Sequence, residues 1–267
     1  MPKSKNVHGT CRLCLTPQRL LHSHIVPDFM WKKSGIFVGQ KSVTINSIPP
    51  HPDFFRKNVQ TGFREHLLCA KCEEQIGHYE DYARKALFAP NCPIYEPNVP
   101  LAELGNLEYR RLKLFQMSIL WRMAVTSDFY YINVDLGKHE EKLRQSLLDE
   151  DPCEVWRYGT TLTTIINEQG KVEIGMMSPP AKEKYENQFR YVFAMTGMYW
   201  EIYVLTHPPK PKVKSDFLTP QGTWKMRQRF VWNIPSVQAS RQATKQQLLA
   251  QVRAGSPGQK GPIGPVA

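Results

Sequence analysis

The sequence predicts an α+β protein, and three observations carry that prediction. Two matched Cys-x-x-Cys pairs, Cys11 with Cys14 and Cys69 with Cys72, bracket an N-terminal module. Apolar residues at helical spacing run through the middle of the chain. After Cys153 the texture changes to short runs rich in aromatic and β-branched residues, separated by turn signals. The expected organisation is a metal-binding module over residues 1–95, a helical plus antiparallel β domain over 96–235 with a small antiparallel sheet, and a flexible basic tail over 236–267.

Each element follows from its local pattern. From Cys72 the stretch CEEQIGHYEDYARKALF holds good helix formers, with Ile76, Tyr79, Ala83, Ala86 and Leu87 close to helical spacing, so a helix opens at the second cysteine pair and Pro90 ends it. Pro90, Pro93, Pro97 and Pro100 then stiffen a connector. LEYRRLKLFQMSILWRMAVTS predicts the central core helix, with Leu112, Phe115, Ile119 and Met123 on one stripe. KHEEKLRQSLLDE predicts a third helix with Glu140 and Glu141 ahead of Lys142 and Arg144; its thin apolar face puts it at the surface, and Asp151-Pro152 stops it. YGTTLTTIINEQGKVEIGMM predicts a hairpin turning at Gln169-Gly170, and FRYVFAMTGMYWEIYVL another turning at Thr196-Gly197. HPPKPKVKSDF reads as a loop with Lys210, Lys212 and Lys214 spaced two apart, and TWKMRQRFVWNI as a last strand. From Ser236 the chain has four Lys or Arg and no Asp or Glu, and Gly255, Gly258, Gly261 and Gly264 recur every third residue. Four such triplets are too few for a collagen helix, and the composition suits disorder.

With 267 residues, 41% of them hydrophobic, the chain can bury a substantial core. Lys and Arg outnumber Asp and Glu by 35 to 24, a balance that favours a polyanionic partner such as nucleic acid. No apolar run of signal-peptide length follows Met1, and Tyr191 to Leu205 is interrupted by Thr196-Gly197 and Glu201, so neither export nor a membrane span is expected. Six cysteines without an export signal point to a reducing, cytoplasmic setting with thiolates kept free for metal.

Cys11, Cys14, Cys69 and Cys72 supply four soft thiolates as two i, i+3 pairs, the donor set of a structural zinc site. The 54 residues between the inner cysteines form a long loop, but closure cost rises only logarithmically with length. Cys92 and Cys153 lack such pairing and read as core residues. One knuckle followed by a strand-rich loop, with the second knuckle opening a helix, is a treble-clef arrangement.

The motifs CRLC, SHIVP and LLCAKCE resemble the HNH endonucleases of the ββα-metal superfamily, most closely those in which four cysteines hold a structural zinc beside the active site. The resemblance covers roughly the first 80 residues. The SHI-P core and the SILWR-like helix, here Ser118 to Arg122, are also similar to a group of bacterial proteins. The HNH resemblance implies hydrolysis of DNA phosphodiester bonds in a bacterial or phage setting. His24 would be the general base, suited to that role by an imidazole that titrates at about 6.5. A divalent ion, Mg²⁺ or Mn²⁺, would be held at the positions of Ser23, which precedes the histidine, and Glu73, which follows the last cysteine.

The pattern departs from the family at both positions. An acidic residue usually precedes the histidine, and a serine hydroxyl binds Mg²⁺ weakly beside a carboxylate. Glu73 restores one carboxylate from the helix side, or it simply complements the helix dipole. The Asn usual before the second knuckle is missing too, since that region reads Gly62-Phe63-Arg64-Glu65-His66. His22 shares a strand face with His24 and is a second candidate base; His78 is expected at the surface and Glu80 in a structural role. Lys32, Lys33, Lys41, Arg56, Lys57 and Arg64 between the knuckles are candidate phosphate contacts carrying little sequence information. Trp121, Trp200 and Trp224 are assigned to the core. The rival expectation is a non-catalytic zinc-binding adaptor that docks nucleic acid or a protein through the same basic surface.

Overall fold

A computed structural model describes residues 6–34, 43–46, 56–59, 62–89, 92–95, 101–234 and 238. Lys41, the insertion at 47–55 and the expected tail apart from Gln238 lie outside the described residues, as do the side chains of Arg56 and Lys57. Strands β1 (Val7–Thr10) and β2 (Pro17–His24) form a hairpin whose turn carries Cys11 and Cys14. A short helix α1 (Asp28–Lys33) follows Pro27, whose fixed φ of −52° sets the entry into the helix. Strands β3 (Val43–Asn46) and β4 (Arg56–Val59) make a separate antiparallel ribbon. Strand β5 (Arg64–Cys69) returns alongside β2 and runs directly into helix α2 (Ala70–Leu87), so the second cysteine pair opens a helix as the sequence predicts.

Gly62 is needed for the return. Its φ is +85°, and a Cβ there would sit 2.5 Å from the Trp31 indole nitrogen, so only glycine lets the chain cross that ring. Between β2 and β5 the register shifts after Leu21, with His22 opposite His66 rather than Leu67. The extra residue frees the Leu67 carbonyl to accept the N–H of Arg12 at 2.9 Å, tying the first knuckle to β5.

Helix α3 (Tyr109–Val125) is buried on nearly every side from Leu112 to Met123, beyond the single stripe that the sequence predicts. The reason is its place between two layers. Phe115 packs on Phe29 of α1 at 6.3 Å between ring centroids and, on its other side, on Trp200 at 6.4 Å. A helix covered on both sides needs apolar residues all round. Helix α4 (Lys138–Leu148) buries Leu143 and Leu147 and leaves its charged face outside.

The second sheet differs from the small antiparallel one expected. It has six strands, in the order β6 (Leu101–Leu104), β11 (Trp224–Phe230), β7 (Thr160–Ile166), β10 (Met198–Val204), β9 (Gln188–Met195) and β8 (Ala181–Tyr185), and its β7–β11 pair is parallel. Strand β6 falls just after the proline connector, and four residues are too short a run for alternation to register in the sequence. The β9–β10 hairpin turns at Thr196 and Gly197, both with positive φ, which suits the right-handed twist of the strands. The chain also turns at Gln169-Gly170, but the second arm of that hairpin contributes a single bridge, Val172 to Ile166, because β10 and β11 already pair with β7 on its two sides. The lysine-rich loop contains one helical turn, α5 (Pro211–Lys214), with proline at its first position.

The inner face of this sheet joins the α3 layer in an apolar core that also takes in Leu13, Ile25 and Met30, so the core is continuous across residue 95. Trp121, Trp200 and Trp224 are fully buried, the core positions expected of them.

Candidate functional site

The knuckle turn brings its thiols inward through backbone geometry. Leu15 adopts a positive φ of 58° and donates its N–H to the Cys11 carbonyl at 2.9 Å, folding Cys11 and Cys14 onto one side. From β5 the N–H of Cys69 points at Cys11 Sγ, 3.3 Å away. Cys14 and Cys69 sulfurs are 3.9 Å apart, and the four Sγ atoms all lie within 4.8 Å of one another. A tetrahedron with Zn–S bonds of about 2.3 Å has edges of about 3.8 Å, so the cluster has the dimensions of a four-thiolate metal site. Burial pushes the Cys11 and Cys72 thiols up. For Cys14 the same burial is outweighed by hydrogen bonds from Thr16, and its value falls to about 6. A crowd of thiols that keeps a thiolate at its half-exposed edge is a donor set for a soft or borderline cation. Cys92 and Cys153 stand outside the cluster.

The end of β2 lies beside this cluster, and strand alternation sends its side chains to opposite faces. Ser23, fully buried, turns toward α2 and donates its hydroxyl to Glu73 Oε2 at 2.5 Å. Glu73 Oε1 has no hydrogen-bond partner among the described residues. Glu73 sits in the first turn of α2, where the helix dipole favours a carboxylate. His24 turns the other way. Its Nε2 accepts from Arg64 Nε at 2.8 Å and lies 3.5 Å from Asp28 Oδ1. Its carbonyl accepts from Arg122 Nη1 at 2.8 Å.

No protein-family model, curated protein or solved structure matches the chain. The functional reading therefore rests on the arrangement of these side chains.

Of the residues singled out from sequence, Ser23 and Glu73 meet directly, while His24 is engaged by Arg64 and Asp28, so His24 and Glu73, expected to converge on one ion site, are turned to opposite sides of β2 by strand alternation. His22 lies across the strand pair from His66 with ring centroids 4.9 Å apart; burial, with His66 and Arg64 close by, lowers its affinity for a proton. His78 is exposed. Glu80, expected in a structural role, pairs at 2.7 Å with the buried Arg122. Among the expected phosphate contacts, Lys32 pairs with Asp28 at 2.5 Å and Arg64 with the imidazole. Among the described residues, the four cysteines are the one group of three or more His, Cys, Asp or Glu side chains close enough to share an ion.

Three residues that matter here were not assigned a role from sequence. Asp28 is four positions after His24 across the Pro27 turn, a spacing that could have flagged it. Arg122 gave no such signal, because an arginine near the end of an apolar helix reads as a snorkelling cation. A third, Glu65, accepts from Thr126 Oγ1 at 2.6 Å and from the Ser127 N–H at 2.8 Å, tying β5 to the end of α3.

Proposed function

We propose that residues 1–95 form a treble-clef zinc module of the ββα-metal type, and that the protein is a metal-dependent endonuclease that hydrolyses DNA phosphodiester bonds at the end of β2. The observation that carries this reading is the Ser23–Glu73 contact. The HNH resemblance assigns these positions, 50 residues apart, to opposite walls of one divalent-ion site, and their oxygens are 2.5 Å apart. The hairpin knuckle and the helix-opening knuckle around four converging sulfurs support the treble clef in the same way.

The four cysteines would hold zinc as a structural centre. Glu73, with its second oxygen unbonded, and Ser23 would hold Mg²⁺ or Mn²⁺, which polarises a phosphodiester and stabilises the leaving oxygen when bound. His24 faces the other side of β2 from that carboxylate, so the reaction requires a phosphodiester that reaches both; there the ring would take a proton from water at Nε2 once Arg64 releases that nitrogen. The freed guanidinium then has a phosphate oxygen as its natural partner. Lys33 and Arg64 would contribute to DNA backbone contacts, with Arg56 and Lys57 on β4. A cytoplasmic, bacterial or phage setting belongs to the same proposal; among the described residues no helix is long and apolar enough to cross a membrane.

One observation favours a second reading, a non-catalytic zinc-binding adaptor that docks nucleic acid or a protein. Both reactive groups are engaged internally, one Glu73 oxygen by Ser23 and the imidazole Nε2 by Arg64. Plasmid nicking with Mg²⁺ or Mn²⁺ separates the two, measured alongside DNA binding by gel shift. An enzyme nicks plasmid, and His24→Ala loses roughly 10²- to 10⁴-fold in rate while still binding DNA. Ser23→Asp, which supplies the carboxylate usual in the family, raises the metal-dependent rate. Intact plasmid with wild type, His24→Ala and Ser23→Asp alike, all three binding DNA equally, establishes the adaptor.

A further inference from the structure

The face of the six-stranded sheet turned away from α3 carries chemistry that the β2 site does not use. Register lays it out. Thr161 lies opposite Glu201, and Thr163 opposite Arg227. Lys225, Arg227 and Arg229 alternate along β11 onto this face, with neighbours in the series roughly 6.6 Å apart, twice the strand rise. Between these strands and α5 opens a cleft of about 230 Å³.

The floor of the cleft is polar and ordered. Glu201 is 7% exposed; one carboxylate oxygen accepts the Thr161 hydroxyl at 2.9 Å and the other pairs with Arg190 at 2.6 Å. Arg190 also donates to the Tyr203 hydroxyl at 3.0 Å and pairs with Glu183 at 2.9 Å. Thr163 is 3% exposed, and its hydroxyl has no hydrogen-bond partner among the described residues. A polar group placed at a cleft floor without a partner is a group waiting for one.

The rim is cationic. Asp216 binds Arg227 through both oxygens, at 2.9 and 3.1 Å. Lys212, Lys225 and Arg229 form no ion pair within 4 Å among the described residues, although Glu103 of β6 lies across the strand pair from Lys225, and five cations line the cleft against two carboxylates. Mutual repulsion of the three unneutralised charges is relieved by a dianion, and phosphate oxygens accept several charge-assisted hydrogen bonds at once. The volume is below the usual range for ligand sites of roughly 300–1,000 Å³, which limits the ligand to a phosphate and a remainder of about sugar size. Glu201 at the floor accepts from hydroxyls, and Thr163 can donate to one or accept from one.

We propose that this cleft binds a small sugar phosphate, its phosphate at Lys212, Lys225 and Arg229 and its hydroxyls at Glu201 and Thr163. The sugar phosphate is either a free molecule or the phosphorylated 5′ end of a nucleic-acid strand, since both present the same groups.

Isothermal titration calorimetry of the full chain with ribose 5-phosphate, ribose and inorganic phosphate tests the site. Ribose 5-phosphate binds at least tenfold more tightly than either fragment. The Lys225→Ala, Arg229→Ala double variant weakens it at least tenfold with an unchanged melting temperature. Thr163→Val weakens ribose 5-phosphate and leaves inorganic phosphate unaffected, and His24→Ala changes neither. A 5′-phosphorylated oligonucleotide that competes where its 5′-hydroxyl counterpart does not supports the site with a strand end as its source. Ribose 5-phosphate binding without such competition supports it with a free sugar phosphate. The proposal is overturned if ribose 5-phosphate does not bind at millimolar concentration, if inorganic phosphate binds as tightly, or if the double variant binds as wild type does.

Discussion

Arg122→Met removes a buried guanidinium from the junction of α2, α3 and the end of β2. The Arg122 side chain is 2% exposed, with Nη2 2.7 Å from Glu80 Oε1 and Nη1 donating to the His24 carbonyl at 2.8 Å. Methionine keeps much of the apolar stem and removes the charge, so the loss is chiefly electrostatic. Stranding one member of a buried ion pair costs roughly 3–5 kcal/mol. The Glu80 side chain is 23% exposed and keeps some water, which places the expected loss at about 3 kcal/mol. At roughly 2–4 °C per kcal/mol for a domain of this size, the melting temperature falls by about 6–12 °C.

The pH dependence adds a second signature. Burial holds the Glu80 carboxyl above the usual carboxylate range while Arg122 pulls it down, so removing Arg122 raises it further. A carboxyl whose folded value is raised binds more protons in the folded state. Its contribution to stability is therefore present at low pH and lost as pH rises through that value. The deficit of Arg122→Met should shrink at pH 5 and widen at pH 8. Urea denaturation followed by tryptophan fluorescence at both pH values measures it, with Arg122→Met combined with Glu80→Met as the control that removes the stranded charge. A deficit under about 1 kcal/mol, a deficit independent of pH, or a double variant as unstable as the single would refute this account of the pair.

Two further predictions follow from the other buried polar groups. Purified protein should release one zinc per chain to a colorimetric chelator on denaturation. Stripping that zinc should unfold the N-terminal module, because four-thiolate zinc supplies roughly 10–16 kcal/mol of folding free energy in small modules; metal-free protein with an unchanged melting temperature would contradict the assignment of the cysteines. Lys113 is wholly buried against the Val155 carbonyl at 3.1 Å, and burial drops its value to about 7. A lysine depressed in the folded state makes stability rise with pH between that value and its unfolded one. Lys113→Met should therefore raise the melting temperature at pH 6 and by a clearly smaller margin at pH 9, and an equal shift at both would show that the ammonium is not desolvated.

The parts of the fold visible in the sequence are those with a local cause. The helix opening at the second knuckle, the core helix and the Thr196-Gly197 hairpin each depend on periodicity or turn chemistry within a few residues. What escaped is non-local. Strand β6 is defined by β11, more than a hundred residues later, and the parallel β7–β11 pairing has no sequence signature. The second arm of the first hairpin was prevented by neighbours that no local pattern reveals. At the site, the four cysteines announce themselves by spacing, and Ser23 and Glu73 were singled out through a motif resemblance, which did not state that they would touch. The partners of His24 were not foreseen, because Arg64 belongs to a strand whose register depends on a bulge, and Arg122 reaches the His24 carbonyl from a helix 98 positions away.

The end of β2 is where these long-range contacts converge, and they bear on the two functional readings unequally. Arg122 holds the His24 carbonyl, the Ile25 N–H donates to the Phe63 carbonyl at 3.0 Å, and Arg64 and Asp28 hold the ring. A site built for proton transfer needs such fixed orientation, since misplacement by an ångström costs orders of magnitude in rate. A docking surface needs the fold but has no use for an imidazole poised between a guanidinium and a carboxylate. Ser23 faces the opposite side of the strand, where its hydroxyl covers the carboxylate that a divalent ion would need. The fixed histidine argues for chemistry and the serine argues against it, and because His24 and the Ser23–Glu73 pair occupy opposite faces of β2, the outcome turns on whether one phosphodiester can reach both the ring and an ion at Glu73.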